Sequence, residues 1–556
     1  MDMLKKSKTI DAFILSIFVI LVTLFPFFIH GSINLFEVGI YLPGIQSVLN
    51  GDVPYRDVFH LRGPFELYIP AFLMKMFGVH IQWLYLYFYI GTVLCLIFGV
   101  LIAKELFATR LMLYLFVPVF VARTFPRVVF TYWGGMRYAF GLLTIWLILK
   151  FFKKEKIVWM FLAGLTTSLG LFTSVEMGIY PVMGVVVAFF VSAIFKIYDI
   201  KQLIKAFLAY SAGMLFVIVP TTFYLIAQHA FIPYLDSIIA IITKMQKVFD
   251  PHLVSIYPSN FKEALIAMTN PVHTNFKHMT PSYLYIAILI YLIIRIKDKK
   301  LTKTDVFIFC LGIYGFIMYN TGFRGIWAAQ FEMALQPEKI LLFFFFEVLL
   351  LELLKRKDIG PNGAKIKVCF NTFMWVLILS SIGYAMQRYN HRFWVFRYVS
   401  AKISGKKMEK LIPALDKEMR PLTFDRASGI IVPNKQADEL EAVSDFVKTN
   451  VGANETIFTY PELGTYNFLF DRPFLGRFPI ATFSWFDQKW HEELMGNLKS
   501  HSAKYAIVEK EISNYWAAVY LVPEPNKQKY QEVIDFIQAN YTVVKETPKS
   551  FIYKLR

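Results

Sequence analysis

The sequence predicts a polytopic α-helical membrane protein with a small α/β domain at its C-terminal end. Three observations carry that prediction. Hydrophobic residues make up 56% of the 556 positions, and apolar runs of bilayer-crossing length recur along the first two thirds of the chain. Basic clusters fall on every second connection between those runs, as cytoplasmic loops require. From about Gln387 onward the long apolar runs stop, and amphipathic helical patterns alternate with short apolar strands.

A bilayer core takes about 20 apolar residues per helix, which divides the apolar part into about eleven spans. They lie near 12–29, 82–103, 110–122, 137–152, 157–174, 177–196, 206–228, 281–296, 305–320, 337–354 and 367–386. The first run follows a basic flank like that of a signal peptide. It is too long for one and lacks a small-residue cleavage site, so it reads as a retained helix. The run at 110–122 is short for a span. Lysines and arginines cluster before the first span, at Lys104 and Arg110, at Lys153–Lys156, at Lys196–Lys205, at Arg295–Lys303 and at Lys355–Lys367. If these are all cytoplasmic, the N-terminus is inside and everything beyond Tyr384 is outside. The expected location is the plasma membrane, multi-pass, with the terminal domain extracytoplasmic.

The net charge of +18 belongs mainly to those cytoplasmic clusters, so no nucleic-acid partner is expected and the lipid bilayer is the partner the charges address. Cys95, Cys310 and Cys369 all fall in apolar runs, and they offer neither a disulfide framework nor metal spacing. His229, His252, His273 and His278 are scattered over a long outer loop at 229–280 without the ligand spacing of a zinc site.

The expected domains are 1–386, carrying the spans and a first extracytoplasmic loop at 30–81, and 387–556. In the second, ADELEAVSDFVKTNV, DQKWHEELMGNLKS and YQEVIDFIQANY read as helices, and ETIFTY, KYAIVE, YTVVKE and SFIYKLR as strands. That alternation implies a partly parallel sheet. The domain has no Gly-rich phosphate loop and reads as a packed cap with no catalytic role.

The first outer loop, Asn34–Gly78, is too polar to stay in hydrocarbon and too apolar for a solvated linker. Glu37 sits among apolar neighbours in FEVGIY. Partial burial there would raise its pKa toward a general base, or it is a solvated juxtamembrane carboxylate. Asp57 lies in PYRDVFHLRGP, between Pro54 and Gly63–Pro64 and among Arg56, His60 and Arg62. It serves an acceptor or a divalent ion, or it is a local Arg–Asp pair that folds the turn. Arg123, Arg127 and Arg137 occur on the outer side, where the positive-inside rule leaves arginine scarce, and guanidinium geometry suits phosphate. Arg324, in the outer turn 321–336, is a fourth candidate. Tyr132 and Trp133 fit a headgroup-level belt or a sugar site. Glu176, at membrane depth between two spans, is a functional candidate or a partner for Arg137 or Arg123. Tyr55, His60, Arg62, Tyr132, Trp133 and Glu176 are the candidates for substrate contact.

In order and texture the chain resembles the GT-C superfamily of membrane glycosyltransferases, of the protein O-mannosyltransferase and aminoarabinose-transferase type. After the first span that family has an acidic pair, an aromatic, a small turn, a Tyr-x-Asp and a Pro. The corresponding residues here are Glu37 and Tyr41, then Gly51, then Tyr55-Arg56-Asp57, then Arg62-Gly63-Pro64. PAFLMKMFG and GLTTSLGLFTSVEMG resemble the family's helix ending in Phe-Gly and its small-residue span. One departure stands out: the first acidic position is Phe36, so Glu37, with Asp57, has to serve alone.

The resemblance implies transfer of a sugar from a polyprenyl-phosphate donor to a glycan, lipid or protein acceptor on the outer face. It implies a one-step inverting displacement with Glu37 or Asp57 as base and outer arginines on the phosphate. Dependence on a divalent metal (Mg or Mn) stays open, because Phe36 replaces a ligand. The rival reading is a lipid-linked oligosaccharide flippase, polymerase or ligase.

Overall fold

The computed structural model describes residues 5–23, 33–124, 136–244, 261–270, 272, 276–323, 334–355, 363–388, 419–500, 503–512, 516–517 and 520–556. The chain divides into two compact units. Met1–Phe25, Phe88–Ile218 and Ser255–Ile412 form the first, and Pro26–Tyr87, Val219–Val254 and Pro413–Arg556 the second. The loop at 30–81 thus belongs to the same unit as the C-terminal domain, not to the unit that holds most of the apolar helices.

The helices of the span region are α1 (Thr9–Thr23), α2 (Leu35–Gly39), α3 (Leu42–Leu49), α4 (Phe65–Phe77), α5 (Gln82–Leu106), α6 (Arg110–Thr124), α7 (Met136–Lys154), α8 (Val158–Leu171), α9 (Val175–Ile194), α10 (Ile200–Ala227), α11 (Phe231–Thr243), α12 (Phe261–Thr269), α13 (Phe276–Lys297), α14 (Lys303–Phe323), α15 (Gln336–Lys355) and α16 (Gly363–Arg388). Each predicted apolar run falls on one of them, though the end of the first run, 24–29, lies outside the described residues, and the short run at 110–122 is α6. Among the described residues, α5, α9 and α10 are helices long and apolar enough to cross a membrane. The segment 229–280 is not irregular throughout: it contains α11 and α12. At 13 residues, α11 is too short to register as a span.

Packing in the first unit relies on small residues, as expected where lipid removes the hydrophobic drive between helices. A Cβ on Gly164 of α8 would collide with the Tyr210 carbonyl of α10, and one on Gly213 with the Phe161 carbonyl. Hydroxyl pairs join neighbouring helices: Thr167 of α8 with Tyr210 of α10 at 2.9 Å, and Thr144 of α7 with Thr166 of α8 at 2.9 Å. The basic connections carry matching carboxylates. Glu105 takes Lys150 at 2.5 Å and Lys153 at 3.1 Å, Asp11 takes Arg110 at 2.9 Å and Asp305 takes Arg295 at 3.3 Å.

In the second unit the C-terminal part contains β1 (Met419–Pro421), β2 (Ile431–Pro433), α17 (Asn434–Asn450), β3 (Ile457–Tyr460), α18 (Thr465–Leu469), α19 (Gln488–Ser500), β4 (Tyr505–Glu509), α20 (Glu524–Asn540), β5 (Tyr541–Glu546) and β6 (Ser550–Leu555). The main sheet runs β3-β4-β6-β5. β3 and β4 are parallel, and the other two contacts are antiparallel, which is the partly parallel sheet the alternation predicts. Strands β3 and most of β4 are buried, as befits the apolar runs IFTY and YAIV. Buried Glu439 on α17 ties the β5–β6 hairpin down. It accepts from Thr547 Oγ1 at 3.0 Å, Lys549 N at 2.7 Å and Ser550 Oγ at 2.7 Å.

The first loop is stitched to this domain. Ile33 exchanges two hydrogen bonds with the Gln436 amide, at 2.9 and 2.7 Å. Thr465 Oγ1 donates to the Leu35 carbonyl, and Phe59 N donates to the Arg477 carbonyl at 2.7 Å. The Phe59 ring lies among Phe478, Phe483, Phe486 and Trp490, with centroids 5.1 to 6.4 Å away. A loop this aromatic buries itself on the nearest apolar surface.

Candidate active site

Glu37 stands in the first turn of α2, a helix that Asn34 caps by accepting from Glu37 N at 3.1 Å. A carboxylate in a first turn is favoured by the unpaired N–H groups there. Its neighbour Phe36, in the place of the missing acid, packs on Phe483 and Tyr520 with centroids 6.2 and 6.1 Å apart. Gly39 lets α2 press close to α18, since a Cβ there would come within 2.9 Å of Thr465 Oγ1. This docking sets Glu37 beside the turn that follows β3.

That turn holds Glu462. Because β3 and β4 are parallel with Tyr460 opposite Val508, their C-terminal ends lie side by side, and Glu462 and Glu509 are neighbours. Burial, then the charge of Glu509, then that of Glu37, push the Glu462 carboxyl up to about 9. Glu509 is pushed up to about 7 by burial and by Glu439, against the pull of Lys549. At neutral pH Glu462 is therefore protonated and uncharged. Nothing in the local sequence around Glu462 marks it. The available signal was its position just after a predicted strand, ETIFTY, in a sheet expected to be partly parallel.

Asp57 is held locally. Arg56 grips both carboxylate oxygens, Nε to Oδ1 at 2.8 Å and Nη2 to Oδ2 at 2.7 Å, and Val53 N donates to Oδ2 at 2.8 Å. The Arg56 contact is the main cause that holds its pKa below the usual carboxylate value. Arg56 Nη1 also donates to the Gln228 carbonyl at 3.0 Å. Tyr55 takes a left-handed backbone at φ 73°, a costly conformation for an aromatic residue. Its hydroxyl donates to the Arg62 carbonyl. His60 is buried between Tyr41 and Tyr55, with centroids 5.8 and 6.5 Å away. Burial and then Arg62, against the Ile40 backbone, hold its pKa down to about 3, so it stays neutral. Arg62 Nε donates to Tyr41 Oη at 3.1 Å and lies 4.0 Å from Glu66.

The remaining candidates belong to the first unit. Arg137, buried at the start of α7, pairs with Glu176 at 3.4 Å, and Ser174 Oγ donates to the same Glu176 oxygen at 2.6 Å. Arg137 also lies over the Tyr138 ring, 4.6 Å from its centroid. Arg123 is exposed in the last turn of α6. Its carbonyl accepts from Lys339 Nζ at 2.6 Å, which places a lysine where the helix dipole favours a cation. Sequence reasoning gave Lys339 no role. Arg127, Tyr132, Trp133 and Arg324 lie outside the described residues.

Among the described residues no group of three or more His, Cys, Asp or Glu side chains converges as an all-protein metal cage would require, and no step below runs through a metal.

No protein-family model matches the chain, and no curated protein does. Solved structures match along nearly its whole length, and the fold is the one those structures share. The apo crystal structure of ArnT from Cupriavidus metallidurans has a TM-score of 0.54 at 11% identity, covering 98% of this chain and 96% of that one. ArnT bound to undecaprenyl phosphate gives 0.52 at 10%, covering 98% and 97%. The archaeal oligosaccharyltransferase AglB from Archaeoglobus fulgidus, in complex with an inhibitory peptide and a dolichol-phosphate, gives 0.48 at 12%, covering 91% and 70%. At these identities the fold is what is shared.

Proposed function

We propose that the protein transfers a sugar from a polyprenyl-phosphate donor to a glycan, lipid or protein acceptor on the outer face of the membrane, with inversion. The observation that carries this reading is the full-length likeness to an ArnT structure that holds undecaprenyl phosphate. In this reading the chain is an integral membrane protein with about eleven spans, an inner N-terminus and an outer C-terminal domain. Glu37 takes the proton of an acceptor hydroxyl. The freed oxygen attacks the anomeric carbon, the bond from that carbon to the phosphate oxygen breaks, and polyprenyl phosphate leaves with the electron pair. Arg123, with Arg127 and Arg324, meets the phosphate charge. Arg137 is spoken for by Glu176 and serves by position. Asp57, clasped by Arg56, shapes the loop around the acceptor with Tyr55, His60 and Arg62, and Tyr132 and Trp133 contact the sugar.

The test is turnover by purified protein in nanodiscs with a panel of radiolabelled polyprenyl-phosphate sugars, with and without EDTA. Release of polyprenyl phosphate, lost in Glu37→Gln, is expected. Tight donor binding with no turnover across the panel would shift the reading to a flippase, polymerase or ligase.

A further inference from the structure

Glu37 has no second acid in its own helix, where Leu35, Phe36, Val38 and Gly39 are its neighbours. The fold brings one from the far end of the chain. Leu35 precedes Glu37 by two residues, Thr465 follows Glu462 by three, and the Thr465 hydroxyl donates to the Leu35 carbonyl. Ile480 joins the same two segments from a third side. Its side chain lies 3.5 Å from where a Cβ on Gly39 would stand and 3.2 Å from where one on Gly464 would stand.

A chain of rings gives an independent route between them. Phe36 meets Tyr520, Tyr520 meets Trp516, Trp516 meets Tyr530 and Tyr530 stacks on Tyr460, with centroids 6.1, 5.4, 6.0 and 5.4 Å apart. Trp516 and Tyr460 are buried. The chain of rings begins at the residue before Glu37 and ends two residues before Glu462. Backbone and rings thus fix both acids on one wall. After burial, the two charges that act on Glu462 are both negative, Glu509 from β4 and Glu37 from α2. Glu509 in turn faces Glu439 of α17 and Lys549 of the β5–β6 turn. Tyr466 of α18 and Tyr530 of α20 feel the Glu509 charge.

We propose that Glu462 is the positioning partner of Glu37: the C-terminal domain supplies the second carboxyl of the base, which is complete only where α2 docks on the turn between β3 and α18. The proposal rests on Glu37 being the base proposed above. Two carboxyls in one buried site hold a single proton between them. Glu462 keeps that proton and Glu37 stays the carboxylate. When the acceptor O–H bond breaks, its proton bonds to Glu37 and the pair loses its last charge, a change that burial favours. Glu462 exchanges no proton with the acceptor and acts through Glu37. The domain that the sequence presents as a packed cap then contributes to the chemistry.

Single-turnover release of polyprenyl phosphate in nanodiscs tests it, with whichever radiolabelled donor of the panel wild type turns over fastest. Glu462→Ala should slow release by about tenfold or more, with unchanged affinity for labelled polyprenyl phosphate. Glu462→Gln keeps shape and neutrality and should recover most of that loss. In a Glu37→Gln background, Glu462→Ala should slow release no further. Wild-type release in Glu462→Ala beside slow release in Glu37→Gln would overturn the pairing and leave Glu37 as the base. So would effects of the two substitutions that multiply. Wild-type release in Glu37→Gln would instead overturn the choice of base. An infrared titration reads the pair without turnover. The protonated-carboxyl band that is missing in Glu462→Gln should titrate away near about pH 9 in wild type. In Glu37→Gln, where a charge that holds the proton on is gone, it should do so at lower pH. An unmoved midpoint would overturn the pairing whatever the turnover.

Discussion

Glu462→Gln removes a charge that the fold resists forming, and its effect on stability can be worked out. The Glu462 carboxyl has an ordinary value of 4.5 and is pushed up to about 9 in the folded chain. Below 4.5 both folded and unfolded states keep the proton, and the residue contributes nothing. Above 4.5 the unfolded chain ionises first, so the unfolded state gains and folding stability falls as pH rises toward 9. Each pKa unit is worth about 1.4 kcal/mol, so by pH 7 the penalty reaches about 3 kcal/mol. Glutamine keeps the shape and cannot ionise. The variant should therefore match the wild type near pH 4 and be more stable by about 3 kcal/mol at pH 7. In thermal unfolding of the full chain in nanodiscs, followed by tryptophan fluorescence, that gain appears as a midpoint several degrees higher at pH 7 and no difference at pH 4. Because Glu37 is one cause of the shift, Glu37→Gln should shrink the gain, and the two substitutions should not add. A pH-independent difference between Glu462→Gln and wild type would refute the burial of this carboxyl, and full additivity with Glu37→Gln would refute its placement beside Glu37.

Glu439→Gln strips the charge from a buried acceptor of several hydrogen bonds. It should destabilise the domain by about 3 kcal/mol, read as a lower unfolding midpoint at neutral pH. Asp57→Asn breaks the partly exposed Arg56 clasp; after allowance for solvent screening it should cost about 1 kcal/mol. The Asp57 pKa lies below its ordinary 3.8, so this stabilisation is present above 3.8 and lost as pH falls through the folded value. Wild type and variant should therefore converge in acid. Gly213→Leu drives a side chain into the Phe161 carbonyl and should separate α8 from α10. The expected outcome is loss of monodisperse protein on size exclusion, whereas Gly383→Leu, with open space around it, should behave as wild type.

The helices were legible because apolar length and charge alternation are local properties. Even the short run at 110–122 folded as a helix despite Pro118. The order of helices and strands after residue 434 was legible for the same reason. The seating of the first loop was not, since Ile33 and Gln436 are 403 residues apart and no periodicity reports such a pairing. Phe36 looked like a missing ligand; in the folded chain it anchors α2 on Phe483 and Tyr520. Glu462 escaped notice because only strand register puts it beside Glu509. Asp57 was open to two readings, and in the fold its sequence neighbour Arg56 holds both of its oxygens.

The central claim is that a carboxylate of the first outer loop drives sugar transfer. Its most direct test is single-turnover release of polyprenyl phosphate from a labelled donor, comparing wild type with Glu37→Gln in the same nanodiscs after both bind donor equally. The account predicts that the variant slows release by about a hundredfold or more, as loss of a general base should. Equal rates in the two proteins would contradict it and move the base elsewhere.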